Sequence, residues 1–201
     1  MASGYLSARG TGRSTHREQM RAKVVEAALR LFLERGHLDV RVEDIVEAVG
    51  ISRATFYKYF AERDEILAAL FAQLLDDDPP PVPADGPMVD RIRALCEATA
   101  GRMVEQEDLA RFVYSVPLRH DALLPGRTGQ PKVMQVVHEL VEQGVASGEL
   151  RGDVPAELLS HQLARSFEAA MRDWATGEVA DPIGHTARLL DVAVGGIRAA
   201  G

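Results

Sequence analysis

Between Val42 and Phe60, in "VEDIVEAVGISRATFYKYF", the chain carries two apolar faces on segments too short to be stable alone. Val42, Ile45, Val46 and Val49 recur at i, i+3, i+4 and i+7, a stripe on a helix only about two turns long. Gly50-Ile51-Ser52 predicts a tight turn, with Ser52 as N-cap of a second short helix over residues 53–60. Helices this short are marginal in water unless they pack on others. Two of them joined by a Gly-containing turn of about three residues make a helix-turn-helix unit.

The rest of the chain is helical by period. Thr15-His16-Arg17-Glu18 is a capping box, and Met20, Val24, Ala27, Ala28 and Leu31 keep helical spacing as far as Gly36, a left-handed terminator. Residues 1–14, "MASGYLSARGTGRS", predict a disordered basic arm. From Arg63 to Leu75 an amphipathic helix carries Ile66, Leu67, Leu70, Phe71 and Leu74. It ends at "DDDPPPVPADGP", where five prolines and four aspartates exclude helix over residues 76–87 and mark a domain boundary.

Further periods cover Met88–Glu105, Asp108–Val116 closed by Pro117, Pro131–Ala146, Pro155–Thr176 and Ile183–Ala199. Gly148 and Gly177 sit at C-cap positions, and Pro155 and Pro182 near helix starts. No strand alternation of useful length and no repeat period is present. The expected fold is all-α with roughly nine helices: arm 1–14, helix-turn-helix domain 15–75, acidic Pro-rich linker 76–87 and a larger helical domain 88–201.

A net charge of -7 argues against a nucleic-acid partner only if it is evenly spread. It is not: residues 1–60 hold 10 Lys/Arg against 7 Asp/Glu, and residues 61–201 hold 13 against 23. The lone Cys96 cannot form an intramolecular disulfide, and no apolar run suits a signal peptide or a membrane span, so a cytoplasmic home without membrane attachment is expected.

On a wheel at about 100° per residue, Phe56 and Phe60 share one side, where they can pack on the Val42/Ile45/Val49 stripe. Ala54, Thr55 and Lys58 point the other way, with Tyr57 and Tyr59 at the flanks. A hydroxyl, two cations (Arg53 and Lys58) and two phenols on one exposed side suit the DNA major groove, where some side chains read base edges and others hold phosphates.

"VEDIVEAVGISRATFYKYFAERDEIL" resembles the DNA-binding signature of TetR-type transcriptional regulators, over about residues 15–70. The resemblance implies that Arg53, Ala54, Thr55 and Lys58 meet base edges or the groove, and that Ser52, Tyr57, Tyr59 and Arg63 meet phosphates. Arg63 stands where the family commonly has Lys, which adds a bidentate fork. Arg41 stands where a Thr usually caps the second helix, and an arginine there still suits a phosphate. Tyr59 replaces a more frequent His, which removes pH sensitivity from that contact. Beyond this segment the likeness lies in length, helix count and phrases such as "GVASGELRGDVP".

The six histidines make no metal motif: His138-Glu139 is followed by Leu-Val-Glu rather than the second His of a zinc-protease helix. No Gly-rich phosphate loop or nucleophile elbow occurs, so no metal, cofactor or catalysis is expected. Met103, Phe112, Met134, His138, Phe167, Met171 and Trp174 are candidate lining for an adaptable apolar cavity, with ordinary core packing as the competing reading. The last two helices carry long apolar stripes, and the family resemblance implies a four-helix dimer interface there, with Leu163, Leu190, Val194 and Ile197 as candidates.

These expectations describe a homodimeric repressor that binds double-stranded operator DNA and is released by an unknown small-molecule effector, apolar or aromatic. Two other readings stay open: an activator or global regulator of the same fold without an effector, and an interaction module whose basic helix binds an acidic protein.

Overall fold

The computed structural model describes residues 16–36, 39–75, 78–116 and 132–197. The arm 1–14, Thr15 of the capping box, Pro117, Pro131 and Ala199 lie outside the described residues. Within the described residues there are nine helices: α1 His16–Arg35, α2 Val42–Val49, α3 Arg53–Phe56, α4 Asp64–Leu75, α5 Met88–Val104, α6 Glu107–Ser115, α7 Lys132–Ser147, α8 Ala156–Ala175 and α9 Pro182–Ile197. The fold is all-α, as expected.

The chain divides into two compact units after Phe71. In the first, α1 buries Val24, Val25, Ala27, Ala28, Leu31 and Phe32 on one face and ends at Gly36, whose φ of 80° is the left-handed turn its missing Cβ permits. α1 packs on α2, and α2 on α3. Of the α2 stripe only Ile45 is fully buried, while Val42, Val46 and Val49 are half-buried.

The second unit builds on α8, which packs against α6, α7 and α9, while α5 packs against α6, α7 and α9. α9 starts sharply because Asp181 Oδ1 accepts from the Gly184 N–H at 2.9 Å and Pro182 occupies the first helical position. His185 Nε2 and Asp173 Oδ2, 2.8 Å apart, link α9 to α8. At the end of α7 the chain folds back so that Leu150 N–H donates to the Gly144 carbonyl at 2.9 Å. A Cβ at Gly144 would lie 2.6 Å from Leu150 Cδ1 and 2.9 Å from Met88 Cγ, so glycine is what lets both side chains close over the helix.

The division into two units falls after Phe71, inside α4, and the described part of the segment expected as linker 76–87 is held to the second unit. Pro80 is buried, Pro83 O accepts from Arg91 Nε at 2.8 Å, and Asp78 O accepts from Arg102 Nη1. Proline excludes helix, but it does not prevent packing.

Burial bears on the expected dimer stripe. Leu163, Leu190, Val194 and Ile197 are at most 3% exposed, so they belong to the core of the second unit. The large apolar residues left outside on these helices are different ones: Leu158 at 56%, Ile183 at 41% and Val192 at 78% exposure. A helix apolar on two faces does not reveal by period alone which face its own chain covers.

Candidate nucleic-acid interface

α2 begins at Arg41, whose backbone N–H donates to Asp44 Oδ2 at 2.8 Å. An arginine side chain offers no acceptor to the first-turn N–H groups, so of the two capping-box bonds only the one to the N-cap N–H, made by the carboxylate three residues on, is present. Asp44 Oδ1 also takes Arg35 Nη1 at 3.3 Å, which ties α2 to the end of α1. Gly50 closes α2 in the left-handed region at φ 74°, with Gly50 N–H and Ile51 N–H both donating to the Val46 carbonyl.

Ser52 then caps α3: its Oγ accepts from Thr55 N–H at 3.0 Å and lies 2.9 Å from Thr55 Oγ1. The regular helix is shorter than the expected 53–60 and stops at Phe56. Tyr57 caps its end, and Lys58 and Tyr59 N–H groups donate three residues back, to Thr55 and Phe56 carbonyls. This tightened last turn satisfies carbonyls that a full turn would leave bare.

The division of side chains survives the tightening. Phe56 and Phe60 are buried with ring centroids 5.7 Å apart, while Ser52, Arg53, Ala54, Tyr57 and Lys58 are exposed and Thr55 and Tyr59 half-exposed. Tyr57 meets Phe56 edge-on at 5.4 Å, which fixes the phenol at the rim. Arg63 Nη1 donates to the Val40 carbonyl at 2.7 Å, so this cation also secures the entry to α2.

Three residues at this surface were not among the sequence candidates. Arg21 of α1 lies 4.2 Å over the Phe60 ring and donates to the Tyr59 carbonyl, which pins the end of the recognition segment. Asp44 supplies the cap. Glu43 Oε1 lies 2.9 Å from Arg53 Nη1. Only the capping role had a local sequence signal, an acid three residues after the cap; the others are contacts between elements.

The expected effector-lining residues all belong to the second unit but differ in burial. Met103, Phe112, Met171 and Trp174 are buried, and Met134, His138 and Phe167 are half-buried. Tyr114 Oη lies 3.6 Å from Met103 Sδ, and burial first, then the Glu168 charge, pushes its phenol pKa up, so the ring stays neutral. Arg111 sits 4.4 Å over the Trp174 ring and donates to its carbonyl at 2.7 Å. His138 Nδ1 lies 3.1 Å from Ser160 Oγ, itself 2.8 Å from the Ala156 carbonyl. Cys96 is buried and its thiol is pushed up to about 12, by desolvation first and then by Glu97, which keeps it protonated. Among the described residues no three His, Cys, Asp or Glu come together as a metal site, and no helix is long and apolar enough to cross a membrane.

Residues 24–70 match the family model described as bacterial regulatory proteins, tetR family. The HTH-type transcriptional regulator HbdR of Aromatoleum sp. is 25% identical over 166 residues, covering 79% of this chain and 72% of that protein. The HTH-type transcriptional repressor AcnR of Corynebacterium glutamicum is 25% identical over 182 residues, 89% of this chain and 92% of that protein. Mycobacterial regulators with 26% identity are matched over only 61% of their own length. Among solved structures, Thermus thermophilus FadR, a TetR-family transcriptional repressor in complex with lauroyl-CoA, superposes with a TM-score of 0.58 at 20% identity, over 90% of this chain and 96% of that one.

Proposed function

From a chain that carries, in residues 24–70, the DNA-binding domain of tetR-family transcriptional regulators, we propose a repressor that binds operator DNA as a symmetric homodimer and releases it when a small apolar or aromatic molecule binds the second unit. One observation carries the DNA-binding part. The solvent side of α3 presents Ser52, Arg53, Ala54, Tyr57 and Lys58 together, while Phe56 and Phe60 anchor the opposite side. In this reading Arg53, Ala54, Thr55 and Lys58 face base edges, and Arg41, Ser52, Tyr57, Tyr59 and Arg63 hold the backbone. Small Ala54 lets the helix approach the groove floor.

These roles separate in a binding assay. Lys58→Ala will cost about 1–3 kcal/mol on operator DNA and flatten the preference at one base pair, whereas Tyr57→Phe will weaken all duplexes evenly. Filter or anisotropy titrations over single-substitution operators give the answer. Equal, unselective losses from both variants would reverse the assignment.

Repression is supported by AcnR, which is named a repressor and aligns over most of both chains. The dimer is supported by the exposed apolar Leu158 on α8 and Val192 on α9, beside exposed Gly195 and Gly196, which allow close approach of a second copy. The effector class is supported by the Met- and aromatic-rich interior of the second unit and by the acyl-CoA held by the similarly folded FadR. A ligand releases DNA only by preferring the DNA-incompetent state, and linkage makes that preference mutual. Trp174 is the sole tryptophan, and a compound that dissociates the complex will titrate its fluorescence with about 5- to 150-fold weaker affinity when operator is saturating. Identical affinities with and without operator would remove that compound as an effector.

A further inference from the structure

The surface offered to DNA contains a negative charge. Glu43, in the first turn of α2, meets Arg53, the first residue of α3, with Oε1 2.9 Å from Nη1 and the two side chains 56% and 62% exposed. Interaction with the Tyr57 phenol first, and then with the Glu43 carboxylate, pushes the Arg53 guanidinium pKa up. Glu43 and Arg53 therefore form one polar contact on the face that carries Ala54, Tyr57 and Lys58.

A carboxylate in that place repels phosphate, so it weakens the sequence-independent attraction on which every DNA duplex draws. What it gives in exchange is orientation. An arginine on a flexible stem samples many directions, and a carboxylate that occupies Nη1 fixes the plane of the fork and leaves the Nη2 side of the guanidinium to address a base. Two parallel N–H groups on guanine O6 and N7 are the commonest specific arginine contact.

We infer that Glu43 is a specificity-determining positioning residue: through its ion pair it holds the Arg53 guanidinium for a guanine in each half-site, and it lowers affinity for all other DNA. The inference rests on the operator-binding reading and adds to it a residue that itself touches no base.

The test uses the purified full chain and a randomised duplex pool. The duplex enriched by the unaltered chain becomes the probe, with its single base-pair variants and with sonicated mixed-sequence DNA alongside. The unaltered chain should show a guanine preference in each half-site that disappears in Arg53→Ala. Glu43→Gln, which keeps size and removes charge, should reduce that one preference by about tenfold and leave the other positions unchanged, while mixed-sequence DNA binds equally well or better. In the Arg53→Ala background, Glu43→Gln should alter no base preference. A Glu43→Gln chain that keeps the full guanine preference, or that loses affinity for every duplex alike, overturns the inference. So does an enriched consensus that Arg53→Ala leaves intact, and in that case operator binding itself stands. If the unaltered chain enriches no consensus, the operator-binding reading fails and takes this inference with it.

Discussion

Phe56→Ala will unfold the helix-turn-helix unit while leaving the second unit in place. Phe56 is completely buried, stacks with Phe60 at 5.7 Å and is the one buried side chain of α3. Removing a buried phenyl ring costs about 3–5 kcal/mol, because the lost transfer energy adds to a cavity that a four-residue helix has few neighbours to close. Small domains hold about 5–15 kcal/mol in total, so most of the unit's margin disappears. Because the chain has two compact units, a single melting curve mixes two transitions. Amide hydrogen exchange resolved by peptide separates them: protection should collapse over α1, α2 and α3 and persist over α8 and α9. Lys58→Ala, at an exposed neighbour, is the matched control and should leave protection within a few tenths of a kcal/mol. Equal protection in Phe56→Ala and the unaltered chain would mean that the two phenylalanines are not the anchor of the recognition segment.

Raising salt from about 50 to 200 mM will loosen the operator complex by about a thousandfold, even though the chain as a whole is acidic. Arg17 and Arg41 are exposed, and Arg63 is half-exposed with one of its donors on the Val40 carbonyl. If each neutralises one phosphate, a dimer releases the counterions of about six, for a slope of log K against log salt of about -5. The -10 imbalance of residues 61–201 does not enter, since only cations at phosphates displace counterions. Val192→Glu should test the two-fold part of the reading at the same time. A charge on the most exposed apolar residue of α9 should give monomers in sedimentation and about half the slope. A flat titration sinks DNA binding as the function, and a Val192→Glu chain that stays dimeric moves the interface to another surface.

Most of the helix plan was legible because its punctuation is chemical and local. Gly36, Gly50, Gly148 and Gly177 all adopt positive φ, Ser52 caps α3, and Pro182 opens α9 beside the Asp181 cap. Each of these signals needs only its immediate neighbours. Periodicity also separated Phe56 and Phe60 from Tyr57 and Lys58, even though α3 gives way to a tighter turn after Phe56. What sequence could not show were choices made between elements. α8 and α9 carry apolar residues on more than one face, and the pattern that pointed outward at Leu190 and Val194 in fact faces inward. The ion pair between Glu43 and Arg53 and the stacking of Arg21 on Phe60 join residues on different elements, so no local spacing announces them. Nor does a proline run reveal whether it is free or packed.

That last point matters to anyone building hybrid regulators by splicing the DNA-reading part of one chain onto the sensing part of another. The obvious splice site is the proline run, which looks like a neutral connector. In this chain residues 78–87 are anchored by Arg91 and Arg102 and by the burial of Pro80. A graft that replaced the run along with the reader would strip those arginines of their carbonyl partners and uncover the site of Pro80. The compatible seam lies between Phe71 and Ala72, so the proline run should travel with the second unit.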